Sequence, residues 1–412
     1  MSKTQNWNPL IYGKPMKLLL WIKIGGKMKT KEILKELVSF KTDNPTDDQY
    51  SKCAEYIAER LKDLKFEVEI VDGGDGTIVK PNVIAEKNFA GNETILFSAH
   101  YDVVPADEGW NNNPWTLTEK DGKLFGRGTS DDKGAIAAFI SAMEEISPAI
   151  GVKAIIACDE EVGGEDGLGY ITKNHFSWLS DISMAWIADA STAFVGIGAS
   201  GVLGGEITVY GKGGHAGYPH KADNAVHRLV ELMTEIREYE NIALQKRSSA
   251  KSPPGSPYPN VWGRFSMTML KAGAKTNIIP EKASMSFDLR YLPEETRSAV
   301  ENEFRKFFDE ICAKMGIKAE LKYVYGHNGY IQPITTRVRE FGQRLSTIFS
   351  GIDFASELGG NDGPFLFELG IPTVAFGPID PDSKFHMPDE FIRIDTLKKM
   401  VQAIKSIYGK SS

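Results

Sequence analysis

The residues best suited to chemistry in this chain of 412 are acids and histidines placed at the ends of apolar runs. CDEEVGGEDG (158–167) sets Asp159, Glu160 and Glu161 side by side directly after VKAIIA (152–157), an apolar, β-branched run. Adjacent carboxylates repel, and burial raises the cost of each charge. At the mouth of a buried strand they need a cation or a shared proton; alone, such a triplet reads as a solvated acidic loop. FSAHYDVVP (97–105) ends a second apolar run with His100 and, two residues on, Asp102, which could take the other ring nitrogen of a metal-bound imidazole. GRGTSDDKG (126–134) puts Asp131 on a glycine-punctuated turn where a helix starts, IADAS (187–191) ends a strand with Asp189, and KFHMPDE (384–390) places His386 after a late strand. One such residue at a strand end is ordinary loop chemistry. Five such places in one sheet point to a dinuclear metal centre of two histidines, three or four carboxylates and a bridging acid. Two dications would offset the clustered acids. Zinc is the default for a His/carboxylate set, and cobalt or manganese is also accepted.

The elements that must carry these residues alternate between helix and strand. Ala54, Ile57, Ala58, Leu61 and Leu64 recur at helical spacing over 48–64. FEVEIV (66–71), NVIAEK (82–87), TILFSA (94–99), VKAIIAC (152–158) and ISMAWIA (182–188) read as strands, with an Ala-rich helix over 132–146. This is the order of an α/β sheet flanked by helices, in which ligands bind outside the carboxyl ends of strands. Near residue 200 the pattern changes. A strand (202–211), a helix with Ala225, Leu229, Leu232 and Ile236 on one face, strands at 264–270 and 283–291, a helix over 294–315 and a strand at 318–326 give the β-α-β-β-α-β order of a ferredoxin-like unit. The Ser/Pro-rich stretch 246–259 is read as a loop. A helix near 334–349, the strand TVAFG (373–377) and a helix over 392–408 then complete the first unit. The fold expected is therefore α/β: a catalytic domain in two segments (28–199 and 327–412) with a central mixed sheet, and an inserted ferredoxin-like α+β lid and dimerisation domain (200–326).

Composition bounds the partners. A net charge of −7 disfavours nucleic acid and anionic membranes, and no stretch reaches the length of a transmembrane helix. Cys53, Cys158 and Cys312 fit a reducing compartment without a disulfide framework, hence a cytoplasmic protein. Residues 1–27 read as an N-terminal extension: the apolar run Leu18 to Ile22 is too short to span a bilayer and lacks a cleavage site, and Met16 and Met28 are alternative starts.

SAHYDVVP, GRGTSDDKG, DEEVGG, GKGGHAG, TNIIPEKASMSFDLRY and GGNDGPF…H, in this order, resemble the M20 metallopeptidases over about residues 29–408, and within them the succinyl-diaminopimelate desuccinylase, acetylornithine deacetylase and carboxypeptidase G branch. The resemblance implies that His100 and Asp189 bind one metal ion, Glu161 and His386 the other, and that Asp131 bridges them, with a cis peptide bond between Asp131 and Asp132. It implies that Asp102 orients His100 and that Glu160 is the general base toward an attacking metal-bound water. It also implies that His215 reaches a dimer partner's site to stabilise the oxyanion, and that Arg290, with Asn277 nearby, grips a substrate carboxylate. Alone, His215 reads as a surface-loop histidine and Arg290 equally as a surface salt bridge. Arg290 shares the polar face of its strand with Asp288 and Ser286, opposite Met285, Phe287 and Leu289. His175, His220, His227 and His327 read as structural, and Trp110 and Trp115 as packing.

Two departures bear on the substrate. Asp189 stands where deacylase and carboxypeptidase relatives usually carry glutamate and aminopeptidase and dipeptidase relatives aspartate, and Asn361 replaces a hydroxyl residue. The function expected is a zinc-dependent amidohydrolase acting on an N-acyl amino acid or another small carboxylate-bearing amide, as a homodimer. The alternatives are a dipeptidase or aminopeptidase of the same family and, outside enzymes, an amino-acid or peptide binding protein.

Overall fold

A computed structural model of the chain describes residues 30–43, 48–88, 91 and 93–410. The expected extension (1–27) lies outside the described residues, and the first helix runs Thr30–Ser39.

The main sheet has nine strands, in the order Glu67–Asp72, Pro81–Lys87, Gly151–Ala157, Thr94–His100, Met184–Ile187, Thr373–Ala375, Val195–Ala199, Tyr330–Ile331, with Phe354–Glu357 also paired to Val195–Ala199. It is mixed. Gly151–Ala157, Thr94–His100, Met184–Ile187 and Thr373–Ala375 run parallel at its centre, and antiparallel pairs flank them. Central parallel strands are covered on both faces, so they read as continuous apolar runs. Every residue of Gly151–Ala157 is buried. One face packs on the helices Lys133–Glu145 and Ile394–Tyr408 around Phe97, Phe139, Trp186 and Tyr408; the Phe97 and Phe139 rings stack at 4.4 Å. The other face packs on Leu168, Ile171 and Leu366.

Register sets the site. His100 lies beside Ala157, and Ser98 beside Ile187. Three adjacent parallel strands therefore end at one edge and release His100–Asp102, Cys158–Glu161 and Ala188–Asp189 together.

A separate four-stranded antiparallel sheet has the order Arg264–Ala272, Lys282–Tyr291, Gly201–Tyr210, Ala319–His327. Its apolar face packs on the helices Ala225–Ile236 and Arg297–Met315 in a core of its own, with Phe287, Phe304 and Tyr239 at the centre. In sequence it falls between Val195–Ala199 and Tyr330–Ile331 of the main sheet. Met285, Phe287 and Leu289 are buried, as their alternation with Ser286, Asp288 and Arg290 predicts.

The stretch 246–259 is not all loop. Arg247–Lys251 is a strand paired with Asn260–Trp262, and only the residues between them form a loop. Its inward positions are Ser248 and Ala250, too small and too polar to show as a hydrophobic alternation; Ser248 Oγ is instead fixed by Glu294 at 2.7 Å. The helix Glu238–Gln245 and the short strand Phe354–Glu357 are further elements that the sequence pattern does not predict.

Candidate metal centre

His100 is buried at the end of its strand. Its Nδ1 faces the Asp102 carbonyl oxygen at 3.0 Å and the Asp102 carboxylate at 3.4 Å, while Nε2 lies 3.1 Å from Asp131 Oδ1 and 3.9 Å from Asp189 Oδ2. Asp131 presents its second oxygen to His386 Nε2 at 3.0 Å, and the same Nε2 is 3.1 Å from Glu161 Oε2. His386 sits at φ 61°, between Lys384 (φ 58°) and Asp389 (φ 61°), so the backbone enters the left-handed region repeatedly to aim the imidazole. Ligand atoms of His100, Glu160 and Asp189 lie within 4.8 Å of one another, and so do those of His100, Asp131 and Glu161. The fold thus gathers His100, Asp131, Glu160, Glu161, Asp189 and His386, with Asp131 between the two histidines. Asp102 accepts from the Glu161 backbone N–H at 3.1 Å and so ties two strand ends together. The Asp131–Asp132 peptide bond is cis.

The electrostatics fit bound cations. Burial, then Asp189, pushes the Glu160 carboxyl up; burial, then Asp131, does the same to Glu161 and Asp189. Burial opposes the charge on Asp131 too, but hydrogen bonds from His100 and His386 hold it below its ordinary value. Asp131 and Glu161 hold His386 up at about 10. The cluster is short of positive charge, and its carboxylates raise the proton affinity of both histidines. Two imidazoles with converging carboxylates are a donor set for divalent ions, which would supply that charge.

Asp159 corrects the reading of the acidic triplet. It does not join Glu160 and Glu161 but forms an ion pair with Lys80, which also holds Asp166 at 2.9 Å. Its Oδ2 accepts from the Asp166 N–H at 2.9 Å. The triplet is divided between a lysine and the metal-type cluster, because successive side chains leave the short 3-10 turn Glu160–Val162 in different directions.

The lid residues are placed less simply. His215 is exposed, its Nδ1 accepting from Gly217 N–H at 3.0 Å, and Asn277 adjoins it through a bond from Ala216 N–H to the Asn277 carbonyl. His215 lies on a small antiparallel pair of strands and Asn277 in the turn before its second strand, and His215 helps line a cavity of about 580 Å³. Among the described residues, no contact joins either one to the metal-type cluster. Arg290 is half-buried and already held bidentately by Asp288, at 2.8 and 3.1 Å. A substrate carboxylate there would compete with, or share, that pair. Of the histidines read as structural, His327 is packed, with Nδ1 2.9 Å from the Asn328 carbonyl. Trp110 and Trp115 pack beside Arg127 and Lys133.

Sequence reasoning missed Glu390. This fully buried carboxylate accepts from Arg127 Nη1 (2.8 Å), Gly128 N (3.0 Å), Ser130 N (2.9 Å), Ser130 Oγ (3.1 Å) and Asp131 N (3.2 Å). It shapes the turn that delivers Asp131. Burial, then Asp131, pushes its carboxyl up, and Arg127 opposes them. Nothing local in MPDEF distinguishes it. Two other acids were also missed: buried Asp362 and half-buried Glu357, whose carboxyls desolvation pushes up to about 7.

An acid-and-imidazole cluster at the ends of parallel strands, in a chain that also carries a separate ferredoxin-like sheet, defines a class of metal-dependent hydrolase. The profile of peptidase family M20/M25/M40 matches residues 96–410. The chain belongs to that family of metallopeptidases and is a hydrolase. It is 26% identical over 405 residues to the succinyl-diaminopimelate desuccinylase of Acidovorax ebreus (strain TPSY), covering 92% of this chain and 96% of that one. It is 28% identical over 406 residues to the enzyme of the same name from Paracidovorax citrulli (strain AAC00-1), covering 93% and 97%. Among solved structures, the di-peptidase Dug1p from Saccharomyces cerevisiae superposes with a TM-score of 0.78 at 16% identity, over 92% of this chain and 95% of that one. The fold is shared with that protein. No helix among the described residues is long and apolar enough to cross a membrane.

Proposed function

We propose that this chain is a dinuclear metallohydrolase that cleaves an amide bond in a small substrate bearing a free carboxylate, such as an N-acyl amino acid. The observation that carries this reading is Asp131, held at 3.1 Å from His100 and 3.0 Å from His386 with Glu161 and Asp189 on either side. His100 and Asp189 would hold one divalent ion, Glu161 and His386 the other, and Asp131 would bridge them; zinc is the first expectation, with cobalt or manganese as substitutes. Such ions supply Lewis acidity toward the amide carbonyl and lower the pKa of an attacking water. Asp102, set against His100 Nδ1, fixes the ring so that Nε2 points into the cluster. Glu160 stands beside His100 and Asp189, and burial raises its proton affinity; it takes the proton of the attacking water and returns it to the leaving nitrogen. Arg290 would receive the substrate carboxylate by exchange with Asp288.

His215 and Asn277 would serve the site of a second copy. The outer strand of the lid sheet, Arg264–Ala272, is an open edge with Met269 and Leu270 exposed, and pairing two such edges would give a homodimer. A second reading, an unblocked-dipeptide hydrolase of the same family, is favoured by the aspartate at position 189.

The test is a hydrolysis screen of metal-loaded protein with N-succinyl- and N-acetyl-amino acids against free and N-blocked dipeptides, with a chelator control. Chelator-sensitive release from acyl amino acids supports the first reading, and cleavage of free dipeptides alone supports the second. No hydrolysis of either class refutes both.

A further inference from the structure

His100 and His386 are held in different ways. His100 ends a central strand, its side chain is 2% exposed, and Asp102 meets its Nδ1. His386 lies on the loop 384–390, its side chain is 49% exposed, and its polar contacts run through Nε2 to Asp131 and Glu161. Among the described residues, no hydrogen-bond partner meets its Nδ1. A metal-ligating histidine is normally oriented by a partner on its other ring nitrogen. For His386 that task falls to the backbone, which enters the left-handed region at Lys384, His386 and Asp389. Such a conformation persists only where the surrounding structure holds it.

The hold comes from the segment after Pro105. Asp389 accepts from the Asn111 backbone N–H at 2.9 Å on Oδ1 and from Asn111 Nδ2 at 2.6 Å on Oδ2, across 278 residues of chain. Gly109, at φ 103°, lies against Pro388: a side-chain carbon at 109 would be 3.5 Å from Pro388 Cγ. The segment is itself fixed at Arg127, which donates from Nη2 to the Pro105 carbonyl at 3.2 Å and from its backbone N–H to the Pro114 carbonyl at 2.9 Å. The Trp110 ring packs 5.2 Å from the same guanidinium. Within the loop, Met387 N–H reaches the Lys384 carbonyl at 2.9 Å, and Phe391 N–H closes it on the Ser383 carbonyl at 3.0 Å. Among the described residues, and apart from His386 itself, the hydrogen bonds that tie residues 384–389 to a distant part of the chain are those of Asn111. Hydrogen bonds to an ionised carboxylate are roughly twice as strong as neutral ones, and two together fix direction as well as distance.

We propose that Asn111 is a positioning residue for His386: through Asp389 it holds the backbone that aims the imidazole, and so sets the affinity of one metal ion of the pair without touching the other. This rests on the dinuclear reading above and deepens it. The ion at Glu161 and His386 depends on the Asn111–Asp389 clamp. The ion at His100 and Asp189, held from strand ends, does not.

The experiment compares wild type, Asn111→Asp and the exchanged pair Asn111→Asp/Asp389→Asn. In Asn111→Asp two carboxylates face each other and the clamp opens. In the exchanged pair, residue 389 still offers an oxygen to the backbone N–H at 111, and its NH₂ donates to the carboxylate there. Asparagine also tolerates the left-handed backbone at 389. The first arm is hydrogen exchange of the Met387 amide in metal-free protein. Exchange should quicken about tenfold in Asn111→Asp, the worth of one lost hydrogen bond, and return to the wild-type rate in the exchanged pair. The second arm is cobalt titration, followed by calorimetry and by the visible absorption of the bound ion. Asn111→Asp should weaken one binding step by about 10–100-fold, the usual effect of losing a ligand's orienting partner. The other step should stay within about twofold, the scatter of independent sites, and the exchanged pair should restore both. An added carboxylate at 111 would by itself attract cations, so a loss reports geometry and not charge. Unchanged exchange, an equal loss or no loss in the two binding steps, or an exchanged pair that restores neither readout overturns the assignment. If wild type takes up one ion or none, the dinuclear reading fails, and the exchange arm still decides whether Asn111 holds the His386 loop.

Discussion

Glu390→Gln tests how the Asp131 turn is held. The two carboxylate oxygens divide their donors: Oε2 receives Arg127 Nη1 and Gly128 N–H, and Oε1 receives Ser130 N–H, Ser130 Oγ and Asp131 N–H. A glutamine can present its carbonyl to only one of these sets and must turn its own NH₂ against the other. If the amide nitrogen faces Arg127, a guanidinium whose side chain is 1% exposed loses its only ion-pair partner among the described residues. Breaking one side of a buried pair costs about 3–5 kcal/mol. The turn carrying Asp131 should loosen as well, so metal content should fall. The assay is urea unfolding followed by circular dichroism, with metal stoichiometry measured on dialysed protein. The double variant Arg127→Met/Glu390→Gln removes the stranded cation. It should recover to within about 1–3 kcal/mol of wild type, the remainder being the unsatisfied Gly128 N–H. A Glu390→Gln protein within about 0.5 kcal/mol of wild type, a change usual for ordinary surface substitutions, and with full metal content would refute the reasoning.

Glu160→Gln should lower kcat by about 10²–10⁴-fold, the usual worth of a general base, while metal stoichiometry stays at the wild-type value; near-normal turnover would remove Glu160 from the proton-transfer role. In metal-free protein, Asp131 and Glu161 raise His386 from 6.5 to about 10. The folded value exceeds the unfolded one, so this contribution is complete below about pH 6.5 and is lost as pH rises through about 10. The melting temperature of metal-free protein should therefore fall across that window, and metal uptake near pH 7.5 should release a proton detectable by calorimetry in buffers of different ionisation enthalpy. A flat or rising profile with no proton release would contradict the geometry at His386. Burial raises Glu357 from 4.5 to about 7, so its ionised form costs stability once pH exceeds 4.5, and the cost is complete above about pH 7. Glu357→Gln should then stabilise metal-free protein at pH 8 by up to about 3 kcal/mol, from 1.36 kcal/mol per unit, with little effect at pH 4.5; destabilisation at pH 8 would show that its charge is compensated in the fold.

The local pattern alone located the strand ends that carry His100, Glu160, Glu161 and Asp189, because central parallel strands must be apolar along their whole length and a polar residue after such a run marks its end. The change to a β-α-β-β-α-β order near residue 200 was legible for a similar reason: Met285, Phe287 and Leu289 alternate with polar residues on a strand with one covered face. The strand Arg247–Lys251 was not legible, since serine and alanine fill its inner positions. Pairing of charges lay further out of reach. Lys80 is 79 residues from Asp159, and Glu390 is 259 residues from Asp131. No local signal reports which acid meets which cation across such separations. The sequence by itself thus determined which residue types stand at the strand ends and that they are too acidic to be buried uncompensated. Only the tertiary structure decided how that charge is shared: Asp159 goes to Lys80, Glu390 to Arg127 and the Asp131 turn, and Arg290 to Asp288. The physical reason is that burial makes each charge depend on its nearest partners, and chain folding, not sequence spacing, chooses those partners.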